Sequence, residues 1–282
     1  MKPLLVEQAP DGDGWVHEIK HDGYRTLLAI EPEEVRAFSS SGHDWSNQYR
    51  RICNAAGQLY VGSALIDGEL VVQDDRGVSD FEGLRGAIAR EPHRLVFFAF
   101  DLLHLNGEDL RGVRLDERRG LLRELLGMPD PLSPIQFSEA IEGRGPDVFA
   151  AAERMGLEGI VSKRASSHYR SGPAKAWAKT KATTIGEFVL IGSKLEGKVP
   201  TLLLARETAT GLVYAGSAFL AMSDPMREVL RTTCERIKIA RPAVEARLSG
   251  AWWFRPELRI RVKHLRSEGG MLRHASALGI AP

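Results

Sequence analysis

The chain alternates short apolar runs with polar turns, and the period of its apolar positions changes along its length. Two-residue alternation, or a brief apolar run bounded by turn residues, marks a strand. This pattern predicts strands at 14–20, 25–31, 34–39, 64–73, 95–103 and 158–164. Helical spacing sets in at three places. Ser79-Asp80-Phe81-Glu82 has the form of a capping box opening a helix to about Ala89. Leu115 to Leu126 places Leu121, Leu122, Leu125 and Leu126 on one inward face, and Asp147 to Met155 predicts another short helix. Residues 127–146, rich in Pro and Gly, read as a surface connection.

The pattern shifts near Thr183. Segments 187–192, 201–205 and 212–216 read as short strands separated by turn signals. A helix is predicted from Pro225 to Ile239, capped by Ser223 or Asp224. Arg259-Ile260-Arg261-Val262-Lys263 alternates basic and apolar, as a half-exposed strand does. Short strands with one helix suit a small barrel, and OB-folds of this kind commonly bind nucleic acid.

A length of 282 residues fits one large or two modest domains, and 43% hydrophobic residues supply a sizeable core. Cys53 and Cys234 lie far apart, match no zinc spacing and read as ordinary thiols. No apolar run reaches membrane-spanning length and no signal-like segment opens the chain, so a cytoplasmic protein is expected. The net charge of +1 says little, but its distribution is uneven. Between Arg227 and Arg273 there are 12 basic and 5 acidic residues. That excess reads either as a phosphate-tracking face or as a solvated helix and strand edge. For any single arginine the second reading is the default.

Candidate chemistry begins at Glu18-Ile19-Lys20-His21-Asp22-Gly23-Tyr24-Arg25. A lysine amine becomes a nucleophile when burial and nearby cations lower its pKa from about 10.4. Gly23 suits a sharp turn or close backbone approach. Taken alone, the stretch also suits a strand ending in a polar turn. Later segments answer it in order. Ile66-Asp67-Gly68-Glu69 sets a carboxylate on an apolar strand, and Phe97-Phe98-Ala99-Phe100-Asp101 is an aromatic strand ending in an acid. Glu158-Gly159-Ile160-Val161-Ser162-Lys163 adds a second carboxylate. Trp177-Ala178-Lys179-Thr180-Lys181 carries two lysines on one face of an extended segment.

This ordered set resembles the covalent nucleotidyltransferases, and most closely the ATP-dependent DNA ligases of the bacterial end-joining, ligase D-like type. Met1-Lys2-Pro3 and the pair Asp44-Trp45 fit that branch as well. The resemblance implies an α+β chain. Residues 1–182 would form a nucleotidyltransferase (adenylation) domain of antiparallel sheets with helices, and residues 183–282 an OB-fold β-barrel. It implies that Lys20 attacks the α-phosphorus of ATP to form a lysyl-AMP. The AMP then passes to a DNA 5′-phosphate, and a 3′-hydroxyl attacks that end to seal the break. Glu69 and Glu158 would hold Mg²⁺ or Mn²⁺, hard cations suited to carboxylate oxygens. Phe100 would stack on adenine, while Lys179 and Lys181 would hold the α-phosphate. Arg25 would contact ribose or DNA phosphate, Glu18 or its carbonyl would meet the adenine amine, and Asp22 would assist on DNA. Asp101 reads equally as an orienting acid or a satisfied strand-end acid. The implied partners are nicked or broken double-stranded DNA and a Ku-like end-binding protein, with the chain a monomer.

Two departures stand out. The family has Ser-Arg-x-Gly where this chain has Ser39-Ser40-Ser41-Gly42, and serine offers no charged phosphate contact. Arg36, Arg50 and Arg51 are the candidate substitutes. The family's late Arg-x-Asp-Lys motif, which orients pyrophosphate, has no counterpart before Pro282. Self-adenylation slower than final sealing is the expectation. The rival readings are an RNA ligase or RNA-capping guanylyltransferase, and a weakly active or inactive DNA-end-binding protein with the same fold.

Overall fold

The computed structural model describes residues 1–246, 248–265 and 271–281. Arg247, Arg266 and Glu268, counted in the basic stretch above, and Pro282 lie outside the described residues. Two compact units appear, Met1–Ala182 and Thr183–Pro282.

The first unit holds two sheets. One runs in the order Lys2–Leu5, Pro173–Lys181, Gly159–Arg164, Trp15–Ile19, Ala140–Ile141. The other runs Val35–Ser39, Tyr24–Ile30, Ala64–Val71, Val96–Leu105, Glu108–Asp109, with Ile135–Phe137 also paired to Val96–Leu105. Most pairings are antiparallel, but Lys2–Leu5 and Ile135–Phe137 join as parallel strands. These two, with Ala140–Ile141, have two to four residues each. Their pairing partners are distant in sequence, so no local period announced them. Two of them interrupt the surface connection predicted for 127–146.

Leu28, Ile66, Leu70, Phe97 and Leu102 from the second sheet pack with Ile52, Leu84 and Leu122 from helices Arg50–Ala56, Phe81–Arg90 and Leu115–Leu126. Leu121, Leu125 and Leu126 pack against this core as the helical spacing predicts. Helix Gly145–Arg154 covers the first sheet, placing Val148 and Ala152 on Ile160. The cap of Phe81–Arg90 differs from the capping-box expectation. Asp80, not Ser79, is the N-cap, and its carboxylate accepts the Gly83 N–H at 2.8 Å. The Asp80 carboxylate, one residue on, satisfies an orphan donor of the first turn.

In the second unit, Thr183–Glu196 pairs with both Val199–Thr208 and Arg259–Leu265. Gly211–Leu220 extends from Val199–Thr208, and Ser276–Ile280 links it to Arg259–Leu265. The five strands thereby close on themselves around Phe188, Leu190, Leu204, Ile260, Val262 and Ala277. This is the curled sheet of an OB-fold, with helix Asp224–Arg236 between its third and fourth strands. The helix stops short of the predicted Ile239 because Lys238–Ile239 pairs instead with Trp252–Phe254. Arg259, Arg261 and Lys263 are exposed on alternate positions, as predicted. Several cations of the basic stretch are tied down, among them Arg231 to Glu228, Arg255 to Glu257, Arg259 to Glu207, and Arg227 to the Met222 carbonyl. Cys53 and Cys234 are free thiols. No described helix is long and apolar enough to cross a membrane.

Ile66 is fully enclosed in the first unit's core. Ile66→Ala is expected to lower unfolding stability by about 2–5 kcal/mol, read in a urea titration of that unit's transition.

Candidate active site

Lys20 follows strand Trp15–Ile19, and its N–H donates to the Gly159 carbonyl at 3.0 Å. That bond brings the lysine beside Glu158, at the mouth of strand Gly159–Arg164. Lys20 Nζ lies 2.5 Å from Glu158 Oε2, and Lys181 Nζ lies 3.1 Å from Oε1. All three side chains are largely buried. Burial lowers the Lys181 pKa, and Glu158 opposes that shift. The backbone here tolerates little change. Gly159 has φ +140°, and a Cβ on it would stand 2.0 Å from the Thr180 carbonyl oxygen. A Cβ on Gly23 would stand 2.1 Å from the Leu70 oxygen, so the turn after Lys20 presses onto strand Ala64–Val71.

Lys20 opens into a cavity also lined by Glu18, His21, Arg25, Glu69, Phe100, Lys163, Trp177 and Lys179. Strand register explains much of this grouping. Arg25 stands opposite Glu69, Lys179 opposite Val161, and Lys181 opposite Gly159. Lys179 and Lys181 alternate with buried Ala178 and Thr180, so both face the same side of their strand. Phe100 meets Trp177 edge-on, with ring centres 5.9 Å apart. Arg25 grips fully buried Asp67 through two hydrogen bonds, at 2.9 and 2.6 Å, and its guanidinium carbon lies 5.5 Å from the Phe100 ring.

Several assignments are refined by these contacts. The Glu18 carboxylate is buried and enclosed by Arg119 at 2.9 Å, Lys163 at 2.6 Å and the Ser138 hydroxyl at 2.8 Å. Its side chain is occupied by the protein itself, so it positions the wall of the cavity. Asp101 is fully buried and bound by both arms of Arg118 at 2.7 and 2.8 Å. Burial raises its pKa while Arg118 opposes the rise, which makes it a structural acid. Asp22 follows His21 and is half-buried at the start of the Gly23 turn.

Three contributors escaped the sequence reading. Lys163 is buried with Nζ 4.3 Å from the centres of both Phe100 and Trp177, and burial pulls its pKa down to about 8. The two-residue period from Val161 pointed to it. His21 stacks on Phe98 at 4.0 Å and is neutral, with a pKa lowered to about 4 mainly by burial and further by Lys20 and Lys163. Arg119 comes from a helix whose leucines carried all the visible pattern. Of the substitutes proposed for the missing arginine near Ser40, Arg36 pairs with Glu34 and Glu31, and Arg51 donates to the Leu95 carbonyl. Arg50 lines a neighbouring groove.

The carboxylates suit a divalent cation. Glu69 has no hydrogen bond or ion pair among the described residues, and its pKa is raised to about 8. Burial is the main cause, Lys20 and Arg25 oppose it, and neighbouring Asp67 and Glu158 reinforce it. The Lys181 contact to Glu158 Oε1 lacks hydrogen-bond geometry, which leaves that oxygen an unsatisfied acceptor. No group of three or more metal-ligating side chains occurs among the described residues. Mg²⁺ commonly takes one or two carboxylates and completes its shell with phosphate and water.

A nucleophile candidate at a strand end, acceptors beside it and an aromatic-walled cavity, set on two sheets and followed by an OB barrel, define a covalent nucleotidyltransferase. Comparison with known proteins takes the assignment further. The family model described as the ATP dependent DNA ligase domain matches residues 6–181. The multifunctional non-homologous end joining protein LigD of Pseudomonas aeruginosa is 36% identical over 98% of this chain and 34% of its own length. The Mycobacterium tuberculosis LigD is 32% identical over 95% of this chain and 36% of its own. A solved mycobacterial DNA ligase D complexed with ATP and MES is 27% identical with a TM-score of 0.59, covering 99% of this chain and 95% of that one. A Lig E DNA ligase shares the fold at 17% identity and a TM-score of 0.64, each chain covered entirely. This chain belongs to the ATP-dependent DNA ligase family, of the ligase D type, and it spans about a third of the length of the curated relatives it matches.

The Glu69 shift gives a stability test. Its folded pKa lies above its unfolded value, so the folded state binds the extra proton. Its stabilising contribution is full below about pH 4.5 and is lost as pH rises through about 8. Metal-free protein is therefore expected to lose thermal stability between about pH 4.5 and about pH 8, and Glu69→Gln to flatten that profile. Millimolar Mg²⁺ at pH 8 is expected to raise the melting temperature of the unaltered protein more than that of Glu69→Gln.

Proposed function

We propose that this chain seals 5′-phosphate/3′-hydroxyl breaks in double-stranded DNA through a lysyl-AMP intermediate, in end-joining repair. The observation carrying this reading is Lys20 Nζ held 2.5 Å from Glu158 beside a cavity walled by Phe100 and Trp177. Residues 1–182 act as the adenylation domain and 183–282 as the OB domain.

In the first step Lys20 Nζ attacks the α-phosphorus of ATP. A nitrogen–phosphorus bond forms, the bond to pyrophosphate breaks, and the amine's proton leaves toward the Glu158 carboxylate that already accepts its hydrogen bond. Lys179 and Lys181 hold the α-phosphate oxygens, where fixed cations stabilise developing charge without reorganising. Phe100 and Trp177 offer the apolar wall for adenine, and Arg25, fixed by Asp67, faces the sugar-phosphate. Glu18 works through Arg119, Lys163 and Ser138 to hold that wall rigid. In the second step the DNA 5′-phosphate displaces Lys20 from AMP. In the third the 3′-hydroxyl displaces AMP, with Asp22 assisting on the DNA side. Glu69 and Glu158 would hold Mg²⁺ or Mn²⁺, whose charge would neutralise the triphosphate. A Ku-like end-binding partner, a monomeric enzyme and a cytoplasmic location complete the proposal. Its support is the end-joining role in the names of the LigD relatives.

The test is sealing of a 5′-phosphorylated nick by purified protein with ATP and Mg²⁺. Product is expected from the unaltered chain and none from Lys20→Ala. Lys20→Ala is expected to retain sealing of a pre-adenylated nick, which needs no lysyl-AMP. Failure of the unaltered protein on both substrates would refute the proposal.

A further inference from the structure

We infer that a groove beside the Ser39–Gly42 turn binds the phosphodiester backbone of the DNA substrate, with Arg85 as its principal cation. The identity of the polymer rests on the ligase reading above. The groove itself rests on four observations.

First, residues 39–42 form an exposed turn. The Gly42 N–H donates to the Ser39 carbonyl at 2.9 Å, with Gly42 at φ +83°. Ser40 stands at its tip and carries no charge. Second, Arg85, on helix Phe81–Arg90, lines one groove together with Ser40 and Arg25. Arg25 also lines the nucleotide cavity, so the groove continues the candidate active site. A cation reaching this groove from a different element occupies the neighbourhood where the turn lacks one.

Third, Arg85 is exposed and has no hydrogen-bond or ion-pair partner among the described residues. Other exposed arginines of this unit, such as Arg94, Arg111 and Arg114, are paired with carboxylates. Fourth, the lining is segregated by sign. A second groove shares Gln48 with the first and adds Arg50, and no carboxylate lines either one. The chain has 37 acidic residues against 38 basic ones, so an acid-free surface of this extent departs from its average. Unpaired arginines among hydroxyls and side-chain amides form a surface suited to phosphate and sugar, the contacts that position a duplex without reading its bases.

The test is equilibrium binding to a nicked DNA duplex by fluorescence anisotropy, at several salt concentrations and without ATP. Arg85→Ala and the double variant with Arg50→Ala are compared with Arg111→Ala, an exposed arginine outside both grooves. Arg85→Ala is expected to weaken binding roughly tenfold near 0.1 M salt. It is also expected to reduce the slope of log affinity against log salt by about one, and the double variant by about two. Arg111→Ala is expected to bind as the unaltered chain does. Melting temperatures of the variants are expected within about 2 °C of the unaltered chain, since these are solvent-exposed substitutions. Unchanged affinity and slope in both groove variants would overturn the inference, as would losses matched by Arg111→Ala or confined to an RNA duplex. Because the measurement needs no turnover, it is decided independently of the sealing test.

Discussion

A single carboxylate, Glu158, lies within hydrogen-bonding reach of two lysines, and the geometry of the nucleotide cavity depends on that junction. The backbone fixes it from both sides. The Gly159 carbonyl accepts from Lys20, and the Glu158 carbonyl accepts from Ala182 at 2.8 Å. The strand ending at Lys20 and the strand carrying Lys179 and Lys181 are thereby locked to the same turn. The Gly159 backbone, at φ +140° and pressed onto Thr180, permits this only without a side chain. Such a cluster costs desolvation, because three ionisable groups lose water together.

Around that junction the protein spends further buried charge on rigidity. Arg118 and Asp101 are fully enclosed together, while Glu18 is surrounded by Arg119, Lys163 and Ser138. Neither the Asp101 nor the Glu18 carboxylate needs a ligand to be satisfied. Glu69 differs: it is half-buried near like charges with no side-chain partner among the described residues, and its raised pKa reflects burial above all. The contrast separates carboxylates whose partners are in place from Glu69, one of the two proposed to hold a cation. His21, beside Lys20, stacks on Phe98, and burial with the Lys20 and Lys163 charges lowers its pKa.

Much of this was legible along the chain, and the exceptions share a cause. Lys20, Glu69, Phe100, Glu158, Lys179 and Lys181 sit on or beside strands, where a two-residue period states which side chains share a face. Of these, Lys20, Glu69, Phe100 and Lys179 line one cavity, and Glu158 and Lys181 stand beside Lys20 and outside that lining. Arg119 comes from a helix whose visible pattern is its leucine face and Arg85 from one signalled by its capping segment, and their reach toward the site is set by tertiary packing. The strands Lys2–Leu5 and Ile135–Phe137 are too short to show a period and exist through distant partners. Glu18 was legible as a neighbour of the nucleophile, but its buried cations were not, since all three of its contacts lie more than 100 residues away.

The most direct measurement is the intact mass of the protein after incubation with ATP and Mg²⁺, followed by peptide mapping of any adduct. The account predicts one AMP per chain, carried on Lys20 and absent from Lys20→Ala. No adduct, or an adduct on Lys163, Lys179 or Lys181 in place of Lys20, would contradict it.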